Sequence, residues 1–169
     1  MNAAQQDRSE AGPRGAAADA PGAPDAAEAQ IELLGFMLAD EEYALDILEI
    51  KEIVRLQAIT AVPRTQPWLR GIVTLRGVIV PIFDLRNRLG LAQVEHGADT
   101  RIVVVYRGDE LAGLIVDRIT QVIRLPAASI EPPPQTVGAV EAEYLRGVAR
   151  HDDRLVILLN LARVVEVSS

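Results

Sequence analysis

The chain has 169 residues, with 17 lysines and arginines against 24 aspartates and glutamates, two histidines, no cysteine and a formal net charge of −7. Without cysteine there is no disulfide framework, thiolate catalyst or Cys-ligated zinc or iron–sulfur site, and the acidic balance argues against a nucleic-acid binder. An apolar share of 49% suits a globular protein. The longest apolar runs, such as Val78 to Phe83, stop far short of the roughly 18 residues a membrane-spanning helix needs, so a soluble protein with no direct membrane insertion is expected.

Residues 1 to about 30 are mostly Ala, Gly, Pro and acidic or amide residues, with no aromatic and no aliphatic larger than Ala after Met1. Such a segment cannot bury enough surface to offset its ordering entropy, and a disordered tail is expected. Pro13, Pro21 and Pro24 work against a helix there. The charged start and apolar run of a signal peptide are missing.

From residue 31 onward the chain repeats itself. At an offset of 69, residues 31–63 fall on 100–132: Leu33, Leu34 and Phe36 on Ile102, Val103 and Val105, Asp40-Glu41 on Asp109-Glu110, and Ile53-Val54-Arg55-Leu56 on Val122-Ile123-Arg124-Leu125. At an offset of 76, Leu69-Arg70-Gly71-Ile72 falls on Leu145-Arg146-Gly147-Val148, and Val80 to Leu85 on Val156 to Leu161. The difference of seven is a loop insertion around Pro133 to Glu141. Residues 31–169 therefore read as two copies of a unit of roughly 70 residues, each expected to form a small β-subdomain.

Each copy is mainly β. A first apolar run (31–38; 101–106) meets a polar turn and a second run, which is hairpin logic. Two further strands follow, Gly71 to Leu75 and Val78 to Leu85 around a turn at Arg76-Gly77, and Gly147 to Arg150 and Leu155 to Leu161 around His151-Asp152-Asp153. Gly77 can supply a positive φ. Pro81 has no amide donor and predicts an edge or a bulge at its position. Short helices are expected at 66–69, 86–89 and 162–167. Short strands with one apolar face each indicate two small barrels that lean together and leave a groove between them.

Sites for chemistry do not assemble. No phosphate loop or dinucleotide fingerprint is present, so no cofactor is expected. His96 and His151 stand in polar stretches without a second ligand at useful spacing, and no metal site is expected. Ser9, Ser168 and Ser169 lie near the chain ends and only Ser129 is internal, so a serine nucleophile with its base is hard to build, and the carboxylates at Asp40-Glu41-Glu42 and Asp152-Asp153 read as turn residues. No enzyme is expected. Charge is uneven: residues 40–52 hold six acids and Lys51, whereas 53–90 hold six arginines and Asp84. That asymmetry suits recognition of a charged protein partner. Trp68 is read as a packing plug.

The series Ala39 to Leu48, Lys51-Glu52-Ile53, Leu69 to Arg86, Gly113 to Asp117, Ser129 to Pro132 and Glu143 to Gly147 resembles the CheW-like chemotaxis coupling proteins, most specifically in Leu75-Arg76-Gly77-Val78-Ile79-Val80-Pro81-Ile82-Phe83-Asp84-Leu85-Arg86. The resemblance covers about residues 31 to 165. It implies a mainly β fold of two SH3-like five-stranded β-barrel subdomains side by side with short helices. It also implies a cytoplasmic, non-enzymatic adaptor joining the cytoplasmic tips of methyl-accepting chemotaxis receptors to the regulatory domain of the histidine kinase CheA, recruited to membrane-bound receptor arrays. Receptor contact would use the groove and the segment around Glu52, Gly71 and Arg76, with Ile50 and Val78 as an apolar rim. Thr74 stands where the family motif has Asn, which bears on receptor preference. Kinase contact would fall to exposed apolar ends of the barrels.

Overall fold

The computed structural model describes residues 29–63, 66–137 and 140–167. All but the last two residues of the expected tail lie outside the described residues. The first copy contributes β1 (Gln30–Leu38), β2 (Glu41–Asp46), β3 (Ile50–Arg55), β4 (Leu69–Leu75), β5 (Val78–Asp84) and the single-turn α1 (Leu85–Arg88). The second contributes β6 (Arg101–Arg107), β7 (Glu110–Val116), β8 (Arg118–Pro126), β11 (Leu145–His151), β12 (Arg154–Leu159) and α2 (Leu161–Val164), with the small pair β9 (Thr136–Val137) and β10 (Val140–Glu141) inside the seven-residue insertion. The helix expected at 66–69 is instead a turn closed by Leu69 N–H donating to Gln66 O at 3.0 Å, because Leu69 already belongs to the β4 ladder opposite Phe83.

Two five-stranded sheets form, ordered β8-β1-β2-β12-β11 (barrel I) and β3-β6-β7-β5-β4 (barrel II). This corrects the assignment of one copy to one subdomain. Barrel I takes its first hairpin from copy one and its other three strands from copy two; barrel II does the reverse. The crossovers are short, a 3-10 turn at Ile47–Glu49 and the single residue Asp117, so the two copies are interleaved. Each barrel closes through one two-bond bridge from the segment that follows one edge strand to the opposite edge strand: Thr60, after β3, with Ile72 of β4 (both bonds 2.9 Å), and Glu131, after β8, with Val148 of β11 (2.8 and 2.9 Å).

The alternation of strand side chains sends each strand into two cores. In β6, Ile102 and Val104 fill barrel II while Val103 and Val105 face barrel I; in β12, Val156 and Leu158 fill barrel I while Ile157 and Leu159 face barrel II. Strands buried on both faces read as continuous apolar runs, as these do. The third core, between the barrels, is the largest and unites Phe36, Tyr43 and Leu45 with Phe83, Leu114 and Val164. Each such side chain contributes about 1.5–3 kcal/mol by burial. At these residues the inter-barrel space is packed core.

The duplication extends to backbone detail. Ala39 and Gly108, one offset apart, both have positive φ (56° and 62°). Arg76-Gly77 (50°, 84°) and Asp152-Asp153 (53°, 64°) are both two-residue turns of type I′ form. Asp84 and Asn160 cap α1 and α2 by accepting from the backbone N–H of Asn87 and Arg163. Pro81 lies in a strand that is internal to its sheet, but the parallel ladder to β7 begins only at Ile82, so no donor is missed.

Candidate functional site

Barrel closure brings the opposite sheet edges β3 and β4 together, and with them Glu52 and the tip of the β4–β5 hairpin. Arg76 Nη1 donates to Glu52 Oε2 at 2.5 Å; the side chains are 72% and 22% exposed. That hydrogen bond, reinforced by Lys51, holds the Glu52 carboxyl below its ordinary range. An exposed ion pair of this kind adds little stability. The turn itself disfavours Arg76, because a left-handed φ suits Gly, Asn or Asp. The arginine is thus held in one geometry at a turn that disfavours it, with most of its side chain in water.

The other expected site residues divide. Thr74 and Val78 are exposed on the same hairpin, flanking Arg76. Ile50 is half-buried and packs on the central core, so it forms the floor behind Glu52 and not a free rim. Gly71 is buried: its φ is +144°, and a Cβ there would sit 2.1 Å from Thr60 O in the barrel-closing bridge. Its position makes it a support for the hairpin and not a contact surface. Sequence reasoning passed over Ile79 (64% exposed), Tyr106 (48%) and Lys51, which with Val78 and Leu111 line a depression of about 740 Å³ beside the hairpin. The signal was present in the run Val78-Ile79, whose alternation leaves one of the two unable to reach the core.

Around this surface, the barrels are clamped by arginines. Arg86 makes a two-bond pair with Asp117 (3.0 and 2.6 Å), and Asp117 also accepts from Ala39 N–H at 2.9 Å, so α1 of barrel II is tied to the β1–β2 turn of barrel I. Arg88 lies 4.1 Å from the centre of the Trp68 ring and 5.3 Å from that of Tyr144, which are offset equivalents, and donates to the carbonyls of Val164 and Glu166. Trp68 is half-buried and stacks on Phe83 at 5.5 Å, as a packing residue. At the β2–β3 crossover, burial and then the Asp46 carboxylate push Glu49 above its ordinary range, with Arg146 opposing.

The family model for the CheW-like domain matches residues 32–169. The chain belongs to the CheW-like family. Chemotaxis protein CheW of Helicobacter pylori is 36% identical over 82% of this chain and 84% of its own length, and that of Klebsiella aerogenes is 34% identical over 79% and 81%. Protein FrzA of Myxococcus xanthus is 30% identical over 81% of this chain and 86% of its own length. The crystal structure of the scaffolding protein TtCheW from Thermoanaerobacter tengcongensis superposes with a TM-score of 0.78 at 34% identity, covering 90% of this chain and 96% of that one. The mainly β, two-barrel architecture is that of the CheW-like fold. No helix among the described residues is long and apolar enough to cross a membrane.

Proposed function

We propose that the protein is a non-enzymatic chemotaxis adaptor that couples the cytoplasmic tips of methyl-accepting receptors to the regulatory domain of the kinase CheA, in the cytoplasm and at membrane-bound receptor arrays. The observation that carries this reading is Arg76, exposed at a turn that disfavours it and held by Glu52. Membership of a family that includes a scaffolding protein supports the absence of a reaction. Arg76, Glu52, Thr74 and Val78 form the receptor surface, with Ile50 and Gly71 holding its shape from behind. The guanidinium offers a planar fork of donors to a receptor carboxylate or helix carbonyl.

The test is reconstitution of a receptor cytoplasmic fragment with CheA. Arg76→Glu is expected to keep the fold and lose receptor-dependent kinase activation; near-normal activation by that variant rejects the assignment. The charge swap Arg76→Glu with Glu52→Arg separates two roles. Recovery means that the pair itself matters, and continued loss means that Arg76 touches the receptor. The similarity to FrzA as well as to CheW supports a second output, a chemosensory pathway for pili, gliding or biofilm in place of flagella.

A further inference from the structure

One buried carboxylate of barrel I has no part in the adaptor surface. Glu42 on β2 is 4% exposed; its Oε2 accepts from Thr120 Oγ1 at 2.5 Å, and its Oε1 lies 3.0 Å from Arg154 Nη2 as an ion pair and not an aligned hydrogen bond. Gly35 makes the space: a Cβ there would meet Thr120 Oγ1 at 2.6 Å, Glu42 Oε2 at 2.7 Å and Ile123 Cδ1 at 3.2 Å. Thr120 stands opposite Gly35, where the β1–β8 ladder slips between Ile119 and Val122. At the equivalent positions of barrel II the chain has Val104 for Gly35, Leu111 for Glu42, Lys51 for Thr120 and Val78 for Arg154. Leu111 packs on the barrel II core, so an aliphatic side chain fills this place with no polar partner. A buried carboxylate paired to an arginine whose side chain is 53% exposed gives no stability over such a leucine. Stability does not account for Glu42.

What the cluster does is tell two hairpins apart. β1–β2 and β6–β7 lie one offset apart, share a positive-φ turn at Ala39 and Gly108, and hold the same place in the strand order of their barrels. Aliphatic burial is non-directional and does not distinguish them. Seated in barrel I, β6–β7 would press the Val104 Cβ onto Thr120 Oγ1 and against Ile123. Leu111 would take the place of Glu42, leaving the Thr120 hydroxyl without its acceptor and Arg154 without its carboxylate. A misplaced first hairpin leaves barrel I to be filled by the second, so refusal at barrel I is enough. Within one chain the short crossovers already seat each hairpin. Between chains they do not, and each barrel is closed by a single bridge. The second hairpin of one copy entering barrel I of another is a head-to-tail contact, which propagates. We propose that the Gly35–Glu42–Thr120–Arg154 cluster is a sorting lock that admits β1–β2 to barrel I and refuses β6–β7, and so protects a duplicated chain from open-ended strand exchange with other copies. This role is independent of the adaptor reading.

The experiment is refolding of the full chain from urea over a range of protein concentrations, with light scattering for mass and amide NMR for uniqueness. The wild type should return to its starting mass with one set of amide signals. Glu42→Leu with Thr120→Ala and Arg154→Val gives barrel I the apolar character of barrel II. Its urea midpoint is expected at or above that of the wild type, while refolding at high concentration shifts the mass to two chains or more and splits the amide signals. A triple variant that refolds to the wild-type mass with one set of signals overturns the proposal, whatever its midpoint. Leu125→Ala separates sorting from simple weakness, because it loosens the core of the same barrel and leaves the cluster intact. It is expected to refold to the wild-type mass, and oligomers from it as well overturn the proposal. Should the triple variant not fold, Thr120→Ala, which removes the hydroxyl that a Cβ at position 35 meets, decides by the same two outcomes.

Discussion

Gly71, within the first strand of the Arg76 hairpin, and Asp117, at the crossover between barrels, show how single residues hold the fold around the candidate site. Gly71→Ala would press a Cβ against Thr60 O and would also have to keep a φ of +144°. The barrel II bridge is then expected to open at a loss of about 2–4 kcal/mol, read as a lower urea midpoint. Asp117 carries an acid signature. Burial acts to raise its pKa, but the Arg86 hydrogen bond and the Ala39 N–H outweigh it, and the carboxyl titrates below its ordinary value. A folded-state pKa below the unfolded one gives stability that is complete above about pH 4 and disappears as pH falls through the folded value. Asp117→Asn should flatten the fall of unfolding free energy on the acid side, and an unchanged slope would refute the linkage. Of the site residues, Arg76 was legible because Leu75-Arg76-Gly77 sits between two strand patterns. Its partner Glu52, distant in sequence, was reached through family resemblance and not through spacing. The half-buried place of Ile50 was not legible, since its strand alternates in the same way whichever core it faces.

At the level of elements, the turns were the readable features because each has a local chemical cause, and the helix caps, which the sequence reading left unnamed, have one too. Asp84 before α1 and Asn160 before α2 supply a side-chain oxygen to the first turn, as capping requires. The missed helix at 66–69 failed because the pull of the β4 ladder on Leu69 is a tertiary effect. The paired type I′ turns permit a comparison within one molecule. Asp152-Asp153 has no proposed contact, so Asp153→Gly should stabilise the fold by about 0.5–1 kcal/mol, since glycine takes the left-handed conformation without strain. Arg76→Asn should stabilise the other hairpin by a similar amount, about 0.5–1 kcal/mol, while receptor binding is lost. Thermal denaturation and a pull-down on the same samples check both halves. A destabilised Arg76→Asn would mean that the Glu52 pair contributes more to the fold than an exposed ion pair normally does.

For the whole molecule, the offsets of 69 and 76 revealed two copies but not which copy pairs with which, because swapped and unswapped barrels bury the same residues in the same alternation. The crossovers decide it. Ile47–Glu49 and Asp117 are too short to return each copy to its own partner strands, so the first hairpin of either copy completes the other's barrel. The central core then takes side chains from both copies, and Arg86, Arg88 and Arg107 tie across it to Asp117, Val164 and Val165. Neither barrel can lose its structure without exposing one face of the other. Unfolding should therefore be a single transition, with calorimetric and van't Hoff enthalpies equal. The duplication boundary is the wrong place to cut. Residues 29–99 and 100–167, expressed separately, each hold five of the ten strands of the two large sheets but no complete barrel of the observed kind. Each is expected to be unfolded alone by circular dichroism and to gain β signal on mixing, as strands from the two fragments pair. A fragment that melts cooperatively by itself would show that one copy can close its own barrel, and the interleaved arrangement would then be one of two accessible pairings.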